Sequence, residues 1–478
     1  MQHWLALGLL TAYTAALLHN AYVGNQASLG MAGYYVGNRE MSGVVVGVSF
    51  FATFASTNTY IGHAGKAYEY GVAWFTMAIL LVLFSWVSWR WIGGPLRRFA
   101  LHWDALTIPD FLGSRYIAGS SAPSRHPLLQ ASAIVIVFAS LLYLLAIFKG
   151  AGHLFQMFLN IPYEMGVGIT LAIVVLYTSI GGFVSVVRTD VLQGALMLIG
   201  SVVIFFFVTR AAGGVGAITE LQKMADKSFL FELNGGIPFA VLLGISLSGS
   251  LKLLADPRQL SRFYALRDDT AVRQGKWIAT LGLAIVLGCL FPVGIYTHLI
   301  LSEVADTDLI VPTLVNDVSV FPLWATDFLI VSILAAAMSS MDSVLLVAAS
   351  TLYKNIVAPF RGPSRELLWT RASVIGFSVL AALLALNPPG DIVEITIFSG
   401  SLYAVCFFPA VVFGLYWQKG SARAVLWSMT VGVSALIIWI AAGLRQDLHE
   451  VFPALLVSTL AYYLLSRAET LPEAAARP

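Results

Sequence analysis

Oxygen-bearing side chains recur in this chain inside segments that are otherwise apolar. The stretch from Ser49 to Gly62 carries Ser49, Thr53, Ser56, Thr57, Asn58 and Thr59 among Phe, Ala and Ile, with Gly65 following. A second stretch, Gly244 to Pro257, carries Ser246, Ser248, Gly249 and Ser250 and ends on Lys252, Asp256 and Pro257. In a third, Ala336, Ser339 and Ser340 stand at i, i+3 and i+4, so a carbonyl and two hydroxyls share one helix face. Hard cations take cages of oxygen ligands, and hydroxyls with freed carbonyls supply such a cage without a formal charge. Serines in apolar helices also bond back to their own backbone, and Gly, Ala and Ser also serve close helix packing, so each segment alone has a bland reading. Two ionisable groups, Lys149 and Lys252, lie within apolar runs. Burying an ammonium there is costly, which makes it a functional hypothesis by default.

The elements that carry these groups must be membrane spans. Of 478 residues 58% are hydrophobic and 11% charged, with mean hydropathy +0.83, whereas a water-soluble domain carries about 25% charged residues. A helix crossing the hydrocarbon needs roughly 20 apolar residues. Thirteen such spans are expected, near 3–23, 43–66, 71–94, 130–158, 164–183, 188–210, 237–256, 274–300, 324–352, 367–386, 391–417, 423–443 and 449–466. The first lacks a cationic leader and reads as a retained helix. With the amino terminus outside and the carboxyl terminus inside, the outer loops hold only Lys66, Arg210, Lys223, Lys227 and Arg445. All other cations except Lys149 and Lys252 fall inside, as the positive-inside rule requires. The outer loop near 301–323 holds four acids, Glu303, Asp306, Asp308 and Asp317, and no Lys or Arg. Stretches 95–129, 211–236, 257–273 and 301–323 are too short to enclose a core, and 467–478 reads as a disordered tail. Cys289 and Cys406 sit in apolar runs without CxxC spacing and read as small hydrophobes. No basic stripe suited to nucleic acid is present. HExxH and GxSxG are also missing, so the expectation is a protein that is not an enzyme.

Several motifs, in order, give the chain a resemblance. Tyr34 to Arg39 reads aromatic-x-Gly-x-Arg, followed by the Ser49 to Gly71 stretch and Gly150-Ala151-Gly152. Then come Tyr177 to Phe183, Thr189 to Gly194, Pro257 with Arg262-Phe263, Ala336 to Ser343, and Pro409 to Trp417. The sequence resembles the solute:sodium symporter family, transporters of sugars, proline, pantothenate and monocarboxylates, and is nearest in wording to pantothenate-type members. The resemblance implies an all-α polytopic bundle of about 13 helices with the leucine-transporter fold. An extra helix would occupy 1–30, inverted five-helix repeats 43–210 and 237–417, and two further helices with a tail 421–478. Paired interrupted helices at matching places in two halves fit such a fold.

The resemblance further implies Na+ as coupling ion, held between the second and ninth spans by the carbonyls of Ala52, Ala55 and Ala336 and the hydroxyls of Ser339 and Ser340. Asp190 matches an aspartate on the inner sodium route, with a helix cap as the alternative reading. Phe54 stands where some members carry an aspartate. Positions matching the family's solute site are Thr53, Ser56, Thr57, Tyr143, Lys149, Gly249, Leu253 and Tyr403. Lys149 is expected to meet a solute carboxylate, or else an unseen acid. Lys252 is expected to pair with Asp256 at i+4. The implied activity is sodium-coupled import of a small organic solute, anionic if Lys149 contacts it, across the cytoplasmic membrane, by a monomer or weak oligomer embedded in lipid. Proton coupling or a solute sensor are the alternatives.

Overall fold

The second of the expected spans departs furthest from a plain helix, and the rest of the bundle is arranged around it. The computed structural model describes residues 4–28, 30–117, 125–233, 235–302, 304–361 and 365–467, so the tail expected at 467–478 lies almost wholly outside the described residues. All thirteen spans are helical. In order they are Trp4–Ala27, the broken pair Gly43–Phe54 and His63–Tyr70, Phe75–Val87, Pro127–Leu159, and the two arms of Tyr163–Ala211. Phe239–Ala255, Asp269–Thr297, Leu323–Thr351, Glu366–Ala385, Ile392–Tyr416, Ala422–Ala441 and Val451–Ser466 complete the set. By length and composition alone, 9 uninterrupted helical stretches among the described residues qualify as membrane spans. That tally joins the later half of the second span to the third and the fifth to the sixth, and it omits the first span, Gly43–Phe54 and Val451–Ser466.

Capping residues start the helices where the sequence changes from polar to apolar. Ser42, Asp268, Asp391 and Ser421 each accept a hydrogen bond from a backbone N–H in the first turn of the helix that follows. The ninth span is buried along nearly its whole length, which makes it the axis of the bundle. The first, tenth and twelfth spans bury one edge and turn large apolar side chains outward, as lipid-facing helices do.

The second and eighth spans cross at backbone contact. A Cβ added at Gly43 would sit 2.1 Å from the Ala271 carbonyl oxygen, and one at Gly294 would sit 2.0 Å from that of Ala64, so small residues set this close approach. Between the fifth and sixth spans the chain turns at Gly182, whose φ of 62° and ψ of −165° suit only glycine. A Cβ there would also lie 2.7 Å from the Tyr34 ring. Gly182→Ala is therefore expected to lower the Tm of the purified protein by several degrees. Gly168→Ala, where a Cβ meets nothing within 4 Å, should leave it unchanged; equal effects would contradict the assignment.

The seventh span corrects one expectation. Its helix runs unbroken through Ser246, Gly249 and Ser250 and stops only at Ala255; Asp256 is extended (ψ 121°) and a second helix, Pro257–Tyr264, follows. The break belongs to Asp256-Pro257 rather than to the small residues, because proline disfavours helical geometry at the residue before it. Asp256 then caps the second helix through the Arg258 N–H at 2.9 Å. A parallel backbone bridge joins the lead-in to the second span with the segment after the seventh. Met41 N donates to Ala265 O at 2.9 Å, and Arg267 N donates to Met41 O at 3.1 Å.

Candidate ion and solute site

Where Gly43–Phe54 ends, its last carbonyls lose their helical partners. Ala55 turns extended (ψ 114°) and the chain resumes as helix only beyond Ser56. Phe51 O accepts the Ala55 N–H at 2.8 Å. The next two carbonyls are met from the ninth span, where Ser339 Oγ donates to Ala52 O and Ser340 Oγ donates to Thr53 O, each at 2.9 Å. Ser339 Oγ also lies 3.0 Å from Ala336 O. Thus Ala52, Ala336, Ser339 and Ser340 come together as expected, with Ala55 at the end of the freed turn, all fully buried. One hydroxyl proton shared between two carbonyls leaves an oxygen-rich, uncharged corner, and that donor set fits a hard cation such as Na+.

Beside this corner, at Thr53, lies a buried charge cluster. Arg262 Nη2 reaches Asp190 Oδ2 at 3.2 Å, Thr53 Oγ1 at 2.7 Å and Ser343 Oγ at 2.5 Å, while Arg262 Nε reaches Ser49 Oγ at 3.3 Å. Ser49 donates to Asp190 at 2.5 Å. Asp342 accepts from Tyr177 at 3.2 Å, Ser343 at 3.2 Å and Thr189 at 3.4 Å. Asp190 thus pairs with the guanidinium directly, and Asp342 is linked to it through Ser343. Asp190 is here a member of a charge network rather than a helix cap, and Thr53, expected to touch solute, points its hydroxyl into the same network. The roles of Arg262 and Asp342 went unread in the sequence. An acid two residues beyond Ser340 in an apolar span was the available signal.

A third group surrounds the break. Tyr143 donates its hydroxyl to Ser56 Oγ at 3.3 Å, and Thr57 Oγ1 and Asn58 Oδ1 are buried without a partner among the described residues. Tyr403 shares a hydrogen bond of 2.9 Å with Ser140, one turn from Tyr143. Gly249 faces Met77 of the third span, since a Cβ there would lie 2.5 Å from its methyl. Leu253 is fully buried, and its carbonyl accepts from Ser88 at 2.5 Å.

Lys149 has an acid partner, the second of its two readings, whereas Lys252 is arranged differently from expectation. Lys149 lies six residues beyond Tyr143, about 9 Å along the helix, and Nζ is paired with Asp308 at 3.0 Å and with Gly390 O at 3.3 Å. Its partner is one of the four acids of the stretch near 301–323. Lys252 makes no bridge to Asp256. That carboxylate is taken by Arg258, whose Nε lies 3.1 and 2.9 Å and whose Nη2 lies 2.5 Å from its oxygens. The i+4 rule fails because the helix ends at Ala255, so Asp256 is already turned toward the next one.

The family model described as the sodium:solute symporter family matches residues 34–432. The chain belongs to that family. It is a multi-pass membrane transporter with the leucine-transporter fold, and it couples the movement of a small solute to Na+. Curated relatives include a sodium/pantothenate symporter of Escherichia coli, 29% identical over 91% of this chain and 90% of that protein. A sodium/pantothenate symporter of Haemophilus influenzae is 26% identical over 92% and 91%. An osmoregulated proline transporter of Bacillus subtilis is 29% identical over 96% and 93%. Among solved structures, a Na+-coupled sialic acid symporter superposes with TM-score 0.82 at 19% identity, covering 98% of this chain and 99% of that one. A nucleobase-cation-symport-1 family transporter gives 0.56 at 14% identity, covering 93% and 97%. These two likenesses concern the fold.

Proposed function

We propose that this symporter imports a small organic acid together with Na+ across the cytoplasmic membrane by alternating access, and that it is not an enzyme. Na+ sits between the second and ninth spans on Ala52, Ala55, Ala336, Ser339 and Ser340. The observation that carries this is the pair of 2.9 Å bonds from Ser339 and Ser340 to the freed carbonyls of Ala52 and Thr53, which join a broken span to the axial one at the place where an ion would join them. Asp190, with Asp342 beside it, lies on the inner route by which Na+ leaves. The solute occupies the space by the break, bordered by Ser56, Thr57, Tyr143, Gly249, Leu253 and Tyr403, with Thr53 set deeper. Lys149 stands at the outer approach, where an arriving carboxylate competes with Asp308. The inverted repeats span 43–210 and 237–417, between the helix within 1–30 and the pair within 421–478. The amino terminus faces outward and the carboxyl terminus inward, and one chain suffices for transport.

Bound Na+ strengthens solute binding, and bound solute strengthens Na+ binding by the same factor. The test is uptake into proteoliposomes carrying an inward Na+ gradient, using labelled monocarboxylates, with the gradient collapsed or replaced by K+ as controls. Concentrative uptake of an acid only under the Na+ gradient is expected. Accumulation of acids that persists in K+, or Na+-driven uptake confined to sugars, would overturn the proposal.

A further inference from the structure

Lys252 is a buried cation with no carboxylate partner among the described residues. It is the fourteenth residue of Phe239–Ala255, about 20 Å along that helix from its outer end, and it is 5% exposed. Its stem lies across the eleventh span at Gly400, where a Cβ would come 2.4 Å from Lys252 Cε. Nζ stands 5.1 Å from the centroid of the Tyr143 ring, and no hydrogen-bond acceptor for it occurs among the described residues. Arg258 lies over the same ring at 3.8 Å but is neutralised by Asp256. Lys252, Arg258 and Asp256 together therefore carry one uncompensated positive charge at the ring that also reaches Ser56 at the break of the second span. An ammonium this deep in a membrane bundle is costly unless it is paired or hydrated, and Nζ, which is not fully sealed by protein, is open to a partner from outside the chain. Thr57 Oγ1 and Asn58 Oδ1, also buried and unpartnered, are further polar groups at the same break.

We propose that Lys252 is the counter-charge for the transported solute: it binds the solute's anionic group against the Tyr143 ring and selects solutes of net negative charge over zwitterions and sugars. The inference rests on the placement of the solute by the break of the second span. A sugar leaves the ammonium unpaired. A zwitterion brings its own ammonium toward Lys252 and Arg258, where like charges repel. A monocarboxylate meets one positive charge with one negative charge and leaves the pocket neutral.

The test uses the purified full chain in Na+ buffer, with thermal shift read against monocarboxylates, each paired with its uncharged amide, and against proline and glucose. Acids are expected to stabilise the wild type and their amides are not. Lys252→Gln should weaken acid binding by at least about tenfold, whereas Lys252→Arg keeps the charge and most of the affinity. Lys252→Gln should also hold or raise the Tm of the ligand-free protein, because it removes an unpaired buried charge; a merely structural lysine would lower it. Na+-dependent stabilisation by an amide, proline or glucose that is unchanged in Lys252→Gln yet lost in Ser339→Ala would keep the transport site and overturn the role of Lys252. Acid binding that survives Lys252→Gln, or a wild type that no acid stabilises, would overturn it as well.

Discussion

Replacing Ser339 with alanine is expected to raise the Na+ concentration needed for half-maximal uptake by at least about tenfold, and Ser340→Ala to act in the same direction. Each hydroxyl belongs to the proposed uncharged cage, where no carboxylate would compensate for a lost oxygen; a hydrogen-bond-strength interaction with a charged group is worth about 1.5–3 kcal/mol, and about 1.4 kcal/mol is a factor of ten. The same change orphans the Ala52 carbonyl, which now accepts from Ser339 at 2.9 Å, at a cost of about 1–3 kcal/mol in the ion-free protein. Ser339→Ala should therefore be less stable without Na+ and gain less from its addition. Ser339→Thr retains the hydroxyl and should recover most of the Na+ response. Initial rates of uptake as a function of Na+ at fixed solute measure the effect; an unchanged Na+ curve in both alanine variants would remove the site.

The second large effect is expected at Arg262. This guanidinium is fully buried and holds Asp190, Thr53, Ser343 and Ser49 at once. Removing one partner of a buried pair costs about 3–5 kcal/mol, because the remaining charge has no water to turn to. In Arg262→Gln two carboxylates, Asp190 and Asp342, would be left in one dry cluster, so the variant should be nearly absent from membranes or show a greatly lowered Tm. Adding Asp342→Asn should restore part of the loss by removing one of the two negative charges. Arg262→Gln with wild-type yield and Tm would show that the cluster is not held by this pair.

Much of this architecture was legible from residue order. Apolar runs fixed the thirteen spans, and the density of hydroxyls between Ser49 and Thr59 located the break in the second span, because in lipid a backbone that leaves the helix needs polar company. The same reasoning misplaced the break in the seventh span. Small residues there pack against neighbours, Gly249 on Met77 and Gly244 on His449, while Asp256-Pro257 supplies the actual stop. The pairing of Lys252 failed, and the partner of Lys149 stayed unnamed, for a related reason. Pairing Lys252 with Asp256 assumed a helix that continues, and pairing Lys149 with Asp308 needed a contact 159 residues apart in sequence, which spacing does not encode. The Asp190, Arg262 and Asp342 cluster is likewise assembled from three spans distant in the chain.

The backbone bridge between Met41 and the Ala265–Arg267 segment has a mechanical consequence. It splices the two helical pieces Gly43–Phe54 and Pro257–Tyr264, one from each repeat, by peptide groups that only a proline substitution removes. Together with Arg262, which rivets Pro257–Tyr264 to Ser49 and Thr53 of the other half, it makes those two short helices a single lever. A motion of one piece would then carry the other with it, and the flexing would fall on the extended residues next to them, Ala55 in one and Asp256 in the other.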